Sequence, residues 1–183
     1  MQEGMTAVEE GVLPEVVDAA ATGFGMPMGP IELADVVGLD TCNHVGEIIG
    51  AAIKRSPPIP LKKLQTLLQA KSLGRKSGQG YYKWIDGKAQ KQKVAEDAVP
   101  ADLTDRLMLT FVNESVACLR ERVVADADLV DAGVIFGAGF APFRGGPLNW
   151  ARAEGKSHLL GRLERLTLQH GSRFAPDPGW SAL

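Results

Sequence analysis

Apolar residues recur at helical rather than alternating intervals along almost the whole chain. Met5, Val8, Val12 and Leu13 share one helical face, in a pattern that starts abruptly, as if already inside a helix. Pro14 opens a second helix, with Glu15 in its first turn and Val16, Val17 and Ala20 on its apolar side. A longer periodic stretch, residues 31–53, carries Ile31, Ala34, Val37, Val45, Ile48, Ile49 and Ala52; Gly38 divides it into two helices and Asp40 can cap the second. Pro57, Pro58 and Pro60 predict an extended turn, after which Leu61, Leu64, Leu67 and Leu68 line a short helix. Residues 103–124 form the clearest amphipathic helix. Leu107, Met108, Phe111, Val112, Val116 and Leu119 lie on one side, with Asp105 and Arg106 toward solvent. Asp126 caps a helix over residues 129–136, and further helices follow at 148–153 and 159–168. With almost no period-2 alternation, the expected fold class is all-α.

Two interruptions are apolar where a solvated loop would be polar. The first is Gly23-Phe24-Gly25-Met26-Pro27-Met28-Gly29-Pro30, in which Gly23 or Gly25 ends one helix, Pro30 starts the next, and Met26 and Met28 stand on the turn. Methionine suits either an irregular core gap or an oily ligand. The second runs from Phe136 through Gly137-Ala138-Gly139-Phe140 to Arg144-Gly145-Gly146-Pro147. Each follows a similar stretch: Asp18 matches Asp131 and Pro30 matches Pro147, so each half reads helix, short helix, Gly/Pro joint, helix. Two copies of one helical unit are expected to pack together around a shared core. Residues 1–88 and 101–183 are the two units, with the polar stretch 89–100 as linker. Gly74-Arg75-Lys76-Ser77-Gly78-Gln79-Gly80 reads as a turn before an extended Tyr81-Tyr82-Lys83-Trp84, and the Pro/Gly-rich tail from Arg173 to Leu183 as loosely packed.

Composition narrows the function more than it defines it. With 183 residues, 45% hydrophobic and 23% charged, the chain is an ordinary globular sequence, and a net charge of −2 gives no nucleic-acid footprint. It has no apolar run long enough to span a membrane, its first residues, Met1-Gln2-Glu3-Gly4-Met5, lack the charged start and apolar stretch expected of a signal peptide, and its two cysteines, Cys42 and Cys118, read as reduced, small apolar residues in a cytoplasmic protein.

Gly23-Phe24-Gly25 with Gly29 lacks the spacing and strand–turn–helix context of a dinucleotide fingerprint, and the order of Gly, Lys and Ser near residue 76 is wrong for a P-loop. No metal spacing surrounds His44, His158 or His170; His44 reads as partly buried, the other two as surface residues. Glu32 and Asp35 can put carboxylates beside a ligand or complement the helix dipole, and the dipole is the preferred reading. Asn113 is expected to bind backbone of the facing unit, and Arg144 to form an ion pair.

The segment Gly25-Met26-Pro27-Met28-Gly29-Pro30-Ile31-Glu32-Leu33-Ala34-Asp35-Val36-Val37-Gly38-Leu39-Asp40 resembles the C-terminal domain of 3-hydroxyacyl-CoA dehydrogenases, a helical domain like that of the 6-phosphogluconate dehydrogenases. Residues 74–84 resemble that domain's G-x-K-x-G-x-G-[FY]-Y ending. Asp105-Arg106-Leu107, Asn113-Glu114 and Gly137-Ala138-Gly139-Phe140 through Pro147 resemble a second copy, as in the multifunctional β-oxidation enzymes with an enoyl-CoA hydratase region. The resemblance implies oxidation of 3-hydroxyacyl-CoA to 3-ketoacyl-CoA with NAD. It also implies that the cofactor, the catalytic His–Glu pair and a conserved Asn lie on stretches that these residues do not include.

No catalytic, cofactor-binding or metal-binding residue is therefore expected here, and no Rossmann domain. The expected substrate-lining residues are Met26, Pro27, Met28, Gly29 and Pro30, set along the acyl group or, alternatively, packing the joint. The expected partners are acyl-CoA, the Rossmann and hydratase domains, and a second copy in a homodimer, with neither nucleic acid nor membrane. The alternative is a free-standing helical module that binds acyl-CoA or pairs with another subunit.

Overall fold

The computed structural model describes residues 1–53, 60–95 and 98–183, and its chain divides into two compact units. The first comprises Met1–Thr22 and Met28–Pro100, the second Gly23–Pro27 and Ala101–Leu183. Among the described residues the regular structure is helical, apart from one two-stranded hairpin. No helix among them is long and apolar enough to cross a membrane.

The first unit holds α1 (Gln2–Glu9), α2 (Pro14–Phe24, whose last two residues belong to the second unit), α3 (Pro30–Val37), α4 (Leu39–Ile53) and α5 (Lys62–Gln69). Pro30 stands at the start of α3, where its missing N–H costs no hydrogen bond. Gly38, at φ 104°, separates α3 from α4 as the sequence predicts. Leu13 lies beyond α1 and is exposed rather than completing its face. Gly4 lets α1 close on α3, because a Cβ there would lie 2.9 Å from Cγ of Pro30. Val17, Ile31, Ala34 and Leu39 are fully buried. Pro57 and Pro58 fall outside the described residues.

Where the sequence suggested the beginning of a linker, the chain turns back on itself. Strands β1 (Lys83–Ile85) and β2 (Lys88–Gln90) pair antiparallel, with Trp84 opposite Ala89. Asp86 and Gly87 both have positive φ, the signature of a two-residue type I′ turn, and an Asp-Gly pair is the sequence signal for it. Alternation over three residues is too short to stand out against the helical background.

The second unit holds α6 (Leu103–Arg120), α7 (Ala127–Ala138), α8 (Pro147–Glu154) and α9 (Lys156–His170). The side chain of Asp126 accepts from the Leu129 N–H and caps α7. Phe24, Phe140 and Trp150 form edge-to-face pairs at 5.6 and 5.1 Å in the core of this unit. Two residues expected on the solvent side of α6 are engaged instead: Arg106 is buried and Asp105 pairs with Arg162.

The tail is docked, contrary to the loose packing its composition suggests. Oδ1 of Asn113 accepts from the Asp177 N–H and the Trp180 indole, each at 2.8 Å, and its amide donates to the Ala175 carbonyl. Arg120 holds Asp177 through two hydrogen bonds, and Phe174 and Trp180 are buried. Asn113 thus binds backbone of its own unit.

Candidate functional site

The two Gly-Pro joints are built alike, and each is supported by an aspartate from the helix before it. In the first unit, Asp18 on α2 accepts from the Ile31 N–H at 2.8 Å and the Glu32 N–H at 3.1 Å, the unpaired donors of the first turn of α3. In the second, Asp131 on α7 accepts from the Leu148 N–H at 2.7 Å and the Asn149 N–H at 2.9 Å at the start of α8. The glycine before each proline leaves room for the carboxylate. A Cβ on Gly29 would lie 2.2 Å from Asp18, and one on Gly146 would lie 2.4 Å from Asp131. The correspondence continues to the ends of the helices, where Gly38 and Gly155 have nearly the same backbone angles (φ 104°, ψ 126° and φ 92°, ψ 120°). The sequence-matched aspartates therefore do the same structural work in both copies.

Only the first unit elaborates this plan. The Tyr82 hydroxyl donates to Oδ2 of Asp18 at 2.8 Å, and the ammonium of Lys91 bridges Asp18 at 2.8 Å and Glu32 at 2.7 Å. Burial works against the charge on Lys91. The hydrogen bonds to the two carboxylates and their negative charges outweigh it, and its pKa is raised. Burial, followed by the Asp18 charge, pushes the Tyr82 phenol upward.

Asp35, read as a helix-dipole residue, is fully buried and has a different job. It accepts from the backbone N–H groups of Tyr81 and Tyr82 and from the Trp84 indole, at 2.9 to 3.0 Å. Desolvation raises its pKa against the opposing effect of those hydrogen bonds. The glycine-rich turn serves this carboxylate: a Cβ on Gly74 would lie 2.2 Å from the Asp35 carbonyl oxygen, and one on Gly80 would lie 2.2 Å from Oδ1. Glycines ahead of aromatic residues were the available signal. Their partner could not be read because it lies about forty residues earlier in the chain.

The five expected substrate-lining residues fall on both sides of the division between the units. Met26 and Pro27 belong to the second, Met28, Gly29 and Pro30 to the first. Met26, Met28 and Pro30 are half-buried, Pro27 is exposed and Gly29 is buried against Asp18. Among the described residues Arg144 forms no ion pair. Its guanidinium lies 4.0 Å from the Phe24 ring centroid and donates to the Phe24 carbonyl.

His44 is exposed rather than partly buried, and so is His158, whereas His170 pairs with Asp102 at 2.6 Å. Cys42 and Cys118 are half-buried. Gly23 sits within α2, so Gly23-Phe24-Gly25 does not form the strand-to-helix turn on which a dinucleotide rests. The described residues do not fit NAD.

A helical fold made of two copies, each with an aspartate-supported Gly-Pro joint, defines the class of this protein. Residues 1–84 match the family model described as 3-hydroxyacyl-CoA dehydrogenase, C-terminal domain. Over 98% of its length the chain is similar in structure to 3-hydroxybutyryl-CoA dehydrogenase from Escherichia coli K12 (TM-score 0.78, 22% identity, 56% of that chain). It is likewise similar over 98% of its length to the dehydrogenase part of multifunctional enzyme 1 from C. elegans (TM-score 0.66, 22% identity, 45% of that chain). At that identity the likeness concerns the fold, and the chain spans about half the length of each structure.

Proposed function

We propose that this chain is the substrate-side helical portion of an NAD-dependent 3-hydroxyacyl-CoA dehydrogenase of fatty-acid β-oxidation, with residues 1–88 and 101–183 as its two units and 89–100 as linker. The observation that carries the reading is the family match over residues 1–84, which includes the first joint and both of its buried aspartates. The reaction converts the 3-hydroxyl of an acyl-CoA into a ketone and passes hydride to a nicotinamide. Hydride transfer requires both reactants in near-attack geometry. With no dinucleotide seat among the described residues, the nicotinamide belongs on another domain, the chain by itself is inactive, and its partners are acyl-CoA, that domain and a second copy. The compartment is the cytoplasm.

Within this reading Met26, Pro27, Met28, Gly29 and Pro30 lie along the acyl group. Asp18 fixes the Gly29-Pro30 end of the segment, while the two methionines have the flexible thioethers that adapt to chains of different length. The test is the chain-length profile of acyl-CoA binding for Met28→Ala, measured in an enzyme that carries this helical portion together with its dinucleotide-binding domain. A shifted preference supports the assignment, and an unchanged one refutes it. NADH consumption with acetoacetyl-CoA by residues 1–183 alone would refute the division of labour.

A further inference from the structure

The two copies of the joint differ in what stands behind the aspartate. Among the described residues Oδ2 of Asp131 accepts one hydrogen bond, from the Asn149 N–H. Oδ2 of Asp18 accepts three, from the Glu32 N–H, the Tyr82 hydroxyl and the Lys91 ammonium. The second residue after each proline differs too. Asn149 donates its side-chain amide to the Arg144 carbonyl, so the second joint closes on its own backbone. Glu32, its counterpart, turns away from the joint and meets Lys91, 59 residues further along the chain.

Lys91 owes its place to the hairpin. Strand β2 is registered on β1, the Trp84 indole of β1 donates to Asp35 on α3, and Lys91 follows β2 directly. The hairpin thus holds α3 at Asp35, and its continuation holds the same helix one turn earlier, at Glu32. The ammonium also lies 5.0 Å from the centroid of the Tyr82 ring, whose hydroxyl shares Asp18 with it.

Asp18 passes this hold to the joint by direct contact. Its carboxylate fills the space into which a Cβ on Gly29 would project, and it bonds the N–H groups of Ile31 and Glu32. A shift of the carboxylate is therefore a shift of the Gly29-Pro30 backbone, beside Met28. The Asp18 side chain is only 3% exposed, so its charge depends on the donors around it, and Lys91 is the cation among them.

We propose that Lys91 is a positioning residue for the substrate: through Asp18 and Glu32 it fixes the Met28-Gly29-Pro30 stretch along which the acyl group lies. The inference rests on the dehydrogenase reading. It gives a role in substrate binding to a residue beyond the stretch that matches the family model.

The test is steady-state oxidation of a short-chain and a long-chain 3-hydroxyacyl-CoA by an enzyme that carries this helical portion together with its dinucleotide-binding domain. Lys91→Met is expected to raise KM for the long-chain substrate about tenfold and for the short-chain one much less, with kcat and KM for NAD within about twofold of wild type. Lys91→Arg, which keeps the charge, should recover most of the loss. Glu32→Gln, which leaves Asp18 paired, should shift KM in the same direction by less. Asn149→Ala loosens the second joint instead and should change neither acyl-CoA KM. Circular dichroism checks that each variant is folded, and Glu32→Gln decides if Lys91→Met is not. Unchanged acyl-CoA KM values, a loss confined to kcat, or an equal rise in KM from Asn149→Ala would each overturn the proposal while leaving the dehydrogenase reading in place. A wild-type enzyme inactive on every 3-hydroxyacyl-CoA would overturn that reading, and this inference with it.

Discussion

The carboxylate of Asp35 fills the space into which any side chain at Gly80 would project; a Cβ there would lie 2.2 Å from Oδ1. The carboxylate cannot retreat, because it is fully buried and holds two backbone N–H groups and the Trp84 indole. Gly80→Ala should therefore destabilise the first unit by about 3 kcal/mol, as overpacking does. Gly78→Ala, at a left-handed residue facing open space, should cost only about 1 kcal/mol. Urea-unfolding midpoints of the two variants decide the matter, and equal effects would show that the turn's conformation matters more than the carboxylate behind it.

Asp35 should also give the stability a pH dependence of definite sign. Its folded-state pKa is raised, chiefly by desolvation, so the folded chain takes up this proton before the unfolded chain does. Its contribution to stability is lowest above the folded pKa and grows as pH falls through it toward the unfolded value of about 3.9. Asp35→Asn removes the titration and turns an amide toward donors, at a cost of about 2 kcal/mol near neutral pH. The stability difference between wild type and variant, followed from pH 7 downward, is expected to widen in favour of the wild type. A difference that narrows on acidification would contradict the desolvation account.

Lys91 ties the chain after the hairpin to Asp18 and Glu32. Lys91→Met leaves Asp18 without its cation and should cost about 1 to 2 kcal/mol, the pair being partly exposed and so partly screened. Because the folded-state pKa of Lys91 is raised, its contribution is fully present below the unfolded value of about 10.4 and is lost as pH rises through the folded one. Hydrogen exchange at Ile31 and Glu32 reports the loss directly. Lys91→Arg should restore most of their protection.

Asn113 supplies the tail with three hydrogen bonds. Asn113→Leu leaves the Trp180 indole and the Asp177 N–H without their acceptor and should cost about 2 to 4 kcal/mol. Limited proteolysis should cut the variant after residue 172 at protease levels that leave the wild type intact, with Trp180 emission shifted to the red. Cleavage at equal rates would show that Arg120 and the buried aromatic residues hold the tail without Asn113.

What depends on neighbours along the chain was legible in the order of its residues. Helix periodicity, Pro14 and Pro30 at helix starts, the Gly38 break, the Asp126 cap and the match of Asp18 with Asp131 all rest on interactions within a few residues or on a repeated order of features. The hairpin was within reach through Asp86-Gly87, but three-residue strands are too short to announce themselves.

Which polar residues are buried, and what they hold, emerges only in the folded chain. Asp35 meets partners more than forty residues away, Asn113 meets Trp180 across a still longer span, and Lys91 reaches back to Asp18. Nothing local distinguishes these residues from solvated ones. A buried carboxylate or amide is defined by the donors that replace its water, and folding alone brings those donors together.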